Sequence, residues 1–342
     1  LWLGGAVTDV AGLHDELRPL MFSIAYRMLG SVAEAEDVVQ EAFLRIHRRA
    51  RAGEQVETPD AYATTITTRL AIDALRSAKR RRESYVGDWL PEPVLDSDAD
   101  PARRIEMDET VTVAFLVVLE RLTPVERAVF LLREVFGYGY RDIADVVRKS
   151  EANCRQLMNR ARHRLEQPPV LSHGKPGGGP TALRGGSPRS DRHGGSPRPG
   201  ARGESPERGA KLSEVFRAAL QGGDLAELER ILAEDVIFYA DGGGKAPAVR
   251  KPLHGAPKVA RFLISLARVG GRAGVRYDIE RVNGQPGLRV RSADGEVLSV
   301  LTLHVVGDRV AALHNQINPD KLTHLGPVGD LSALLGDRSL RE

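Results

Sequence analysis

Only one cysteine, Cys154, occurs in the 342 residues. That excludes an internal disulfide framework and points to a reducing, cytoplasmic setting. No apolar run approaches the roughly 20 residues needed to cross a bilayer, so no membrane partner is expected. The opening residues lack the basic stretch, apolar core and small-residue cleavage site of a secretory signal. A dominant charge of one sign is missing too. The net charge is +3, and residues 168–211 hold eight Lys or Arg against three acidic residues, so everything outside that stretch sums to −2. Local clusters, not global charge, must therefore carry any affinity for nucleic acid.

What is present is ordinary for a soluble multidomain chain: 42% hydrophobic and 28% charged residues over a length suited to two or three compact units. Leu13, Leu17, Leu20, Met21, Ile24 and Met28 recur at helical spacing. A second helix carries Val39, Ala42, Phe43 and Ile46 on one side and Asp37, Gln40 and Glu41 on the other. A third begins at Pro59 and runs to the basic cluster Lys79–Arg82. Residues 87–107 read as an extended, acidic linker. A second helical block spans 108–167, with Thr123-Pro124-Val125-Glu126 as a helix start. Residues 168–211, rich in Gly, Pro, Ser and Arg, read as a disordered tether. From 212 to 326 two short helices precede at least four alternating strands, an α+β pattern in which a run of antiparallel strands cups a helix layer.

The sharpest local signal lies in the second block. Tyr140–Val147 forms a short helix, Arg148-Lys149 a turn, and Ser150 a cap for a helix from Glu151. Arg155, Gln156, Asn159 and Arg160 face outward there, the side chains that bond base edges and phosphates in a helix-turn-helix. A solvated helical hairpin has the same pattern, and basic residues at Arg76–Arg82 also suit a helix C-terminus.

The order of the pieces decides between these readings. Glu36-Asp37-Val38-Val39-Gln40-Glu41-Ala42-Phe43-Leu44 resembles the polymerase-binding segment of bacterial sigma factors. Pro59-Asp60-Ala61-Tyr62 through Arg69-Leu70-Ala71-Ile72-Asp73-Ala74-Leu75-Arg76 resembles their promoter-melting segment, with Tyr62 where many relatives carry Trp. Leu122–Arg127 through Asn159–Arg162 resembles their fourth domain, and a short linker in place of the third is the pattern of extracytoplasmic-function (ECF) sigma factors. Trp89-Leu90-Pro91-Glu92-Pro93, Asp241-Gly242-Gly243-Gly244-Lys245 and Asn318-Pro319-Asp320-Lys321 are similar to motifs of the SigJ-like subfamily, which adds a C-terminal SnoaL-like domain of the NTF2-like cone fold.

The resemblance implies two all-α sigma domains (13–86 and 108–167, the second with the helix-turn-helix) and an α+β SnoaL-like domain at 212–326. It implies core RNA polymerase as partner, through its beta-prime clamp helices and beta flap, together with promoter DNA. Neither a separate anti-sigma factor nor any cofactor or metal is expected. By the same token Asp37, Gln40 and Glu41 would meet polymerase; Arg69, Asp73, Arg76, Lys79, Arg80, Arg155, Gln156, Asn159 and Arg160 would meet DNA. Trp89, Leu90 and Pro91 with Asp241, Gly242, Gly243, Gly244 and Lys245 would form a regulatory contact between domains. The tether is longer than the family's usual connection, which argues against tight docking of the third domain.

Catalysis is the rival reading. Gly242-Gly243-Gly244-Lys245 fails as a phosphate loop, because Tyr239 stands where a Gly is needed and Ala246 where a Ser or Thr is needed. Tyr239, Asp241, His254, His304 and His314 are candidates for a cyclase- or isomerase-type cavity. A helix-turn-helix repressor with a sensory domain accounts for the later blocks but leaves the first unexplained.

Overall fold

The computed structural model describes residues 10–52, 58–82, 84–97, 111–166, 206–249 and 251–335. Helices α1 (Val10–Leu29), α2 (Val32–Arg51) and α3 (Pro59–Arg82) form the first unit. Ser31 caps α2 by accepting from the Glu34 amide, and Val32, Ala35, Val38, Val39, Ala42, Phe43 and Ile46 then fall on one buried face. The second unit holds α4 (Val113–Leu119), α5 (Pro124–Phe130), α6 (Tyr140–Val147) and α7 (Glu151–Glu166). Thr123 and Glu126 close a capping box at α5. Arg148 takes the left-handed conformation (φ 54°) that ends α6, and Ser150 Oγ accepts from the Asn153 amide to start α7.

These two units share one apolar core, from Leu17 and Met21 through Leu75 to Leu132, Ile143 and Met158. Arg127 is buried between them and donates to the carbonyls of Leu119 (3.0 Å) and Met28 (2.7 Å) and to Glu120 (2.6 Å).

The third unit opens with α8 (Pro206–Gly222), so residues 206–211, expected in the tether, are helical. Leu212, Val215, Phe216, Ala219 and Leu220 supply an apolar stripe that carries the helix into the fold. The rest of the expected tether lies outside the described residues. Helix α9 (Leu225–Ile231) runs straight into β1 (Leu232–Asp241). Then follow β2 (Leu253–His254), α10 (Ala256–Arg272), β3 (Arg276–Val282), β4 (Gln285–Arg291), β5 (Val297–Val306), β6 (Arg309–Gln316) and a last short helix, α11 (Leu331–Leu335). The six strands lie in the order β2-β1-β6-β5-β4-β3. The expected run of antiparallel strands is β3–β6, and β2 is antiparallel to β1; β1 itself runs parallel to β6, because the crossover through α10 and β3–β5 brings β6 back alongside it. Register shifts in β1, β4/β5 and β5/β6 bend the sheet around α8, α9 and α10.

Two further expectations are corrected. Leu90–Leu95 of the linker are buried, and Leu95 joins Val282, Val297, Val300 and Leu322 in a small core of its own. The linker's apolar residues thus form the joint between units. The third unit docks closely on that joint despite the long connection, through contacts between its sheet residues and the linker.

Candidate functional site

Five donors converge on the buried carboxylate of Asp241, at the end of β1. They are Tyr85 Oη (2.6 Å), Leu90 N (2.8 Å), Lys321 Nζ (2.6 Å), Gly243 N (3.1 Å) and Gln316 Nε2 (3.3 Å). Three of those groups also tie down the linker or its neighbours. Lys321 donates to Leu90 O (2.6 Å), Gln316 to Leu90 O and Pro91 O (each 3.3 Å), and Tyr85 Oη accepts from Asn318 Nδ2 (2.8 Å). Burial pulls the Lys321 ammonium down from its ordinary range, and the Asp241 charge opposes that pull. Burial, then the Asp241 charge, pushes the Tyr85 hydroxyl up, so it stays a donor. Trp89 carries cations on its ring, Arg82 at 3.6 Å and Lys321 at 4.4 Å. Gly30 (φ +66°) lies beneath it, and a Cβ there would sit 2.7 Å from Trp89 Cη2.

A second knot joins all three units. Glu92 accepts from Ser31 Oγ (2.7 Å) and the amides of Val32 (2.7 Å) and Ala33 (3.2 Å), placing a carboxylate at the start of α2. Its own carbonyl accepts from Tyr26 Oη, which accepts in turn from Asn283 Nδ2 (each 2.7 Å). Asn283 pairs with Val94 in both directions (2.8 and 3.1 Å) and reaches Val111 O (3.0 Å).

On the helical surface, Asp37 and Gln40 are exposed and Glu41 is half-buried beside Arg45. Exposed Leu44 shares their face, next to a groove lined by His14, Arg18, Val39, Phe43 and His47. On α7, Arg155, Gln156, Asn159 and Arg160 are exposed while Cys154, Leu157, Met158 and Ala161 are buried. On α3 the residues divide. Asp73 and Arg76 are exposed and paired with each other (2.8 Å). Arg69 donates to the carbonyls of Val146 (2.9 Å) and Asp145 (2.7 Å) at the end of α6. Lys79 donates to the carbonyls of Glu120 (3.2 Å) and Leu122. Arg80 lies in α3, with its side chain outside what is described.

Comparison with known proteins gives this arrangement its family. The model for Sigma-70 region 2 matches residues 13–81, and the one for Sigma-70, region 4 matches residues 112–165. The chain is 35% identical to the ECF RNA polymerase sigma factor SigJ of Mycobacterium tuberculosis over 318 residues, covering 90% of this chain and 92% of that one. The chain belongs to the ECF RNA polymerase sigma factors. A probable ECF sigma factor of the same organism, SigI, is 37% identical over 161 residues, 46% of this chain and 55% of its own. The crystal structure of M. tuberculosis SigJ matches with a TM-score of 0.66 at 30% identity, covering 92% of this chain and 98% of that chain.

As an ECF sigma factor the protein is a subunit that directs promoter-specific transcription, not an enzyme. Among the described residues no helix is long and apolar enough to cross a membrane. The residues of the rival catalytic reading are taken up in structural contacts. Tyr239 stacks on His314 (centroids 5.3 Å apart), His304 bonds Gln285 (3.2 Å), His254 is exposed at the sheet edge, and Asp241 is taken up by the linker. None of the five lines the third unit's cavity.

Of the residues expected to form a regulatory contact, Trp89, Leu90, Pro91 and Asp241 meet around Lys321 and Gln316. Lys245 instead pairs with Asp320 (2.5 Å) on the exposed side. Gly243 (φ +58°) leaves room for Asn318 and Tyr85, whose Oη would lie 2.9 Å from a Cβ there. Sequence reasoning passed over Tyr26, Tyr85, Asn283 and Gln316. Tyr85 directly precedes the linker motif; Asn283-Gly284 has the look of a hairpin turn and hides the side chain's second task.

Proposed function

We propose that the described conformation is a closed form of the sigma factor, held by its own third domain through the linker. Arg69 and Lys79, candidates for promoter contact, are engaged with main-chain carbonyls of the second helical unit. That observation carries the reading: neither side chain can meet DNA while it holds α6 and the α4–α5 turn. The Asp241 knot fixes Leu90, Pro91 and Trp89 between the units and so maintains their spacing. Asp37, Gln40 and Glu41, on the polar face of α2, are then available to the beta-prime clamp helices, and Arg155, Gln156, Asn159 and Arg160 to the upstream promoter element. The third domain thus takes the part that a separate anti-sigma factor would otherwise play. Run-off transcription with purified core tests this. Asp241→Asn is expected to raise output at limiting core several-fold above the parent protein; equal output from the two proteins at the same limiting core would show that the clamp is passive.

A further inference from the structure

The third domain encloses a cavity of about 100 Å³ that promoter recognition does not use. Leu263 and Ala267 of α10 roof it, Leu288 and Leu301 line the sheet side, and Leu331 and Leu334 of α11 stand at its mouth. Among the described residues no charged one lines it, and the polar side chains that do are Asn315, Ser299 and Tyr277. Asn315 Oδ1 is buried with no hydrogen-bond partner among the described residues. A buried carbonyl-type oxygen left unmatched is costly, by an amount a single donor would recover. An ionised ligand would lose its hydration here and find no countercharge.

The wall of this cavity is also the back of the clamp. Strand side chains alternate between faces. On β1, Phe238 and Ala240 line the cavity while Asp241 reaches Leu90 on the other side. On β6 and just beyond it, Asn315 and Ile317 line the cavity while Gln316 reaches Leu90 and Pro91. The Ile317 amide donates to Asp241 O (2.9 Å), locking the two strand ends together.

We propose that this cavity binds a neutral, mostly apolar small molecule carrying one hydroxyl or similar donor for Asn315, and that occupancy shifts the strand ends holding Trp89, Leu90 and Pro91. The size is bounded. A dry cavity of about 150 Å³ admits benzene, so a ring of about six to eight heavy atoms fits here with modest yielding of α11. That helix is a short turn-and-a-half packed on α10, and the bonds that tie the chain to the sheet, Val297 N to Pro327 O (2.8 Å) and Gly329 N to Val297 O (3.0 Å), lie before it, so Leu331 and Leu334 can yield without breaking them.

The inference does not rest on the closed-form reading, and its test contains neither polymerase nor DNA. The full chain, methyl-labelled, is titrated with cyclohexanol, methylcyclohexane and cyclohexanecarboxylate, while the Leu288 and Leu301 methyls and the Trp89 indole N–H are followed by NMR. Cyclohexanol is expected to shift both methyls saturably and to move the Trp89 signal at the same midpoint, with the carboxylate at least about ten-fold weaker. Asn315→Leu should weaken cyclohexanol by about ten-fold while sparing methylcyclohexane. Should Asn315→Leu fail to fold, Leu334→Ala at the half-buried mouth serves instead, with faster exchange of bound cyclohexanol expected. Absence of saturable methyl shifts, equal binding of the carboxylate, or a Trp89 signal indifferent to bound cyclohexanol would each overturn the proposal.

Discussion

Asp241 and Lys321 illustrate how a buried ion pair acts when every remaining lone pair is used. Asp241 is fully buried and Lys321 nearly so, so their mutual attraction mainly offsets their desolvation, and the gain is the fixed geometry. Asp241→Asn would place an amide where donors already point. It is expected to lower stability by about 3–5 kcal/mol in urea unfolding. Asp320→Asn, which breaks the exposed pair with Lys245, should cost no more than about 1 kcal/mol. Comparable losses for the two would mean that the knot is no stronger than a surface pair. His314 offers a pH test. Burial, reinforced by nearby His304, pulls its imidazole down to about 3, while an unfolded histidine titrates near 6.5. The unfolded chain therefore binds the proton first. The contribution is intact above about pH 6.5 and erodes as pH falls from there toward about 3, by at most about 1.4 kcal/mol per pH unit. Urea midpoints at pH 7.5, 6 and 5 should fall less steeply for His314→Gln than for the parent; parallel slopes would assign the acid sensitivity to other groups.

At the scale of elements, α7 behaves as a presenting helix. Its inward residues anchor it to α5 and α6, leaving Arg155, Gln156, Asn159 and Arg160 in solvent. Arg160→Ala or Gln156→Ala is expected to cost about 1–3 kcal/mol on a cognate upstream element and to relax preference at one base position. Holoenzyme binding to single-base variants of the element measures this. Uniform weakening across all variants would mark these side chains as phosphate contacts alone. The same helix shows why much of the fold was legible: its 3.6-residue apolar period, the Thr123–Glu126 box and the Asp-Gly turn at 294–295 are local signals. The parallel pairing of β1 with β6 and the burial of the linker are not local. Leu90 and Val94 look like linker residues because their partners lie some 150 to 230 positions away. Helix α10 is different. Val259, Ala260, Leu263, Ile264 and Ala267 carry a plain helical stripe, yet the alternating strands around it draw the eye to sheet. Of the candidate residues, exposure was readable for α2 and α7 from amphipathicity. The engagement of Arg69 and Lys79 was not, since a basic residue on a polar helix face looks the same whether it meets water, DNA or a neighbouring helix end.

For the whole molecule, the shared core of the two helical units sets the constraint. Separating α3 from α5 and α6 exposes apolar surface and uncovers the Glu120 cluster. Burial works against the Glu120 carboxylate, but the guanidiniums of Arg127 and Arg82 hold it below the usual carboxylate range, so at neutral pH the cluster favours closure. On the closed-form reading opening therefore needs binding energy from outside, which core polymerase would supply. A ligand shifts such an equilibrium only by its differential affinity for the two states. Loosening the third-domain clamp should lower the energy that polymerase must provide. Dyes placed through Arg48→Cys on α2 and Glu166→Cys at the end of α7 report the distance between units; both positions are exposed, whereas Cys154 is buried. Energy transfer should be high for the free protein, fall when core is added, and fall at lower core concentration when Asp241→Asn is also present. Transfer that is already low without core, or a core titration unaffected by Asp241→Asn, would place the clamp outside the opening step.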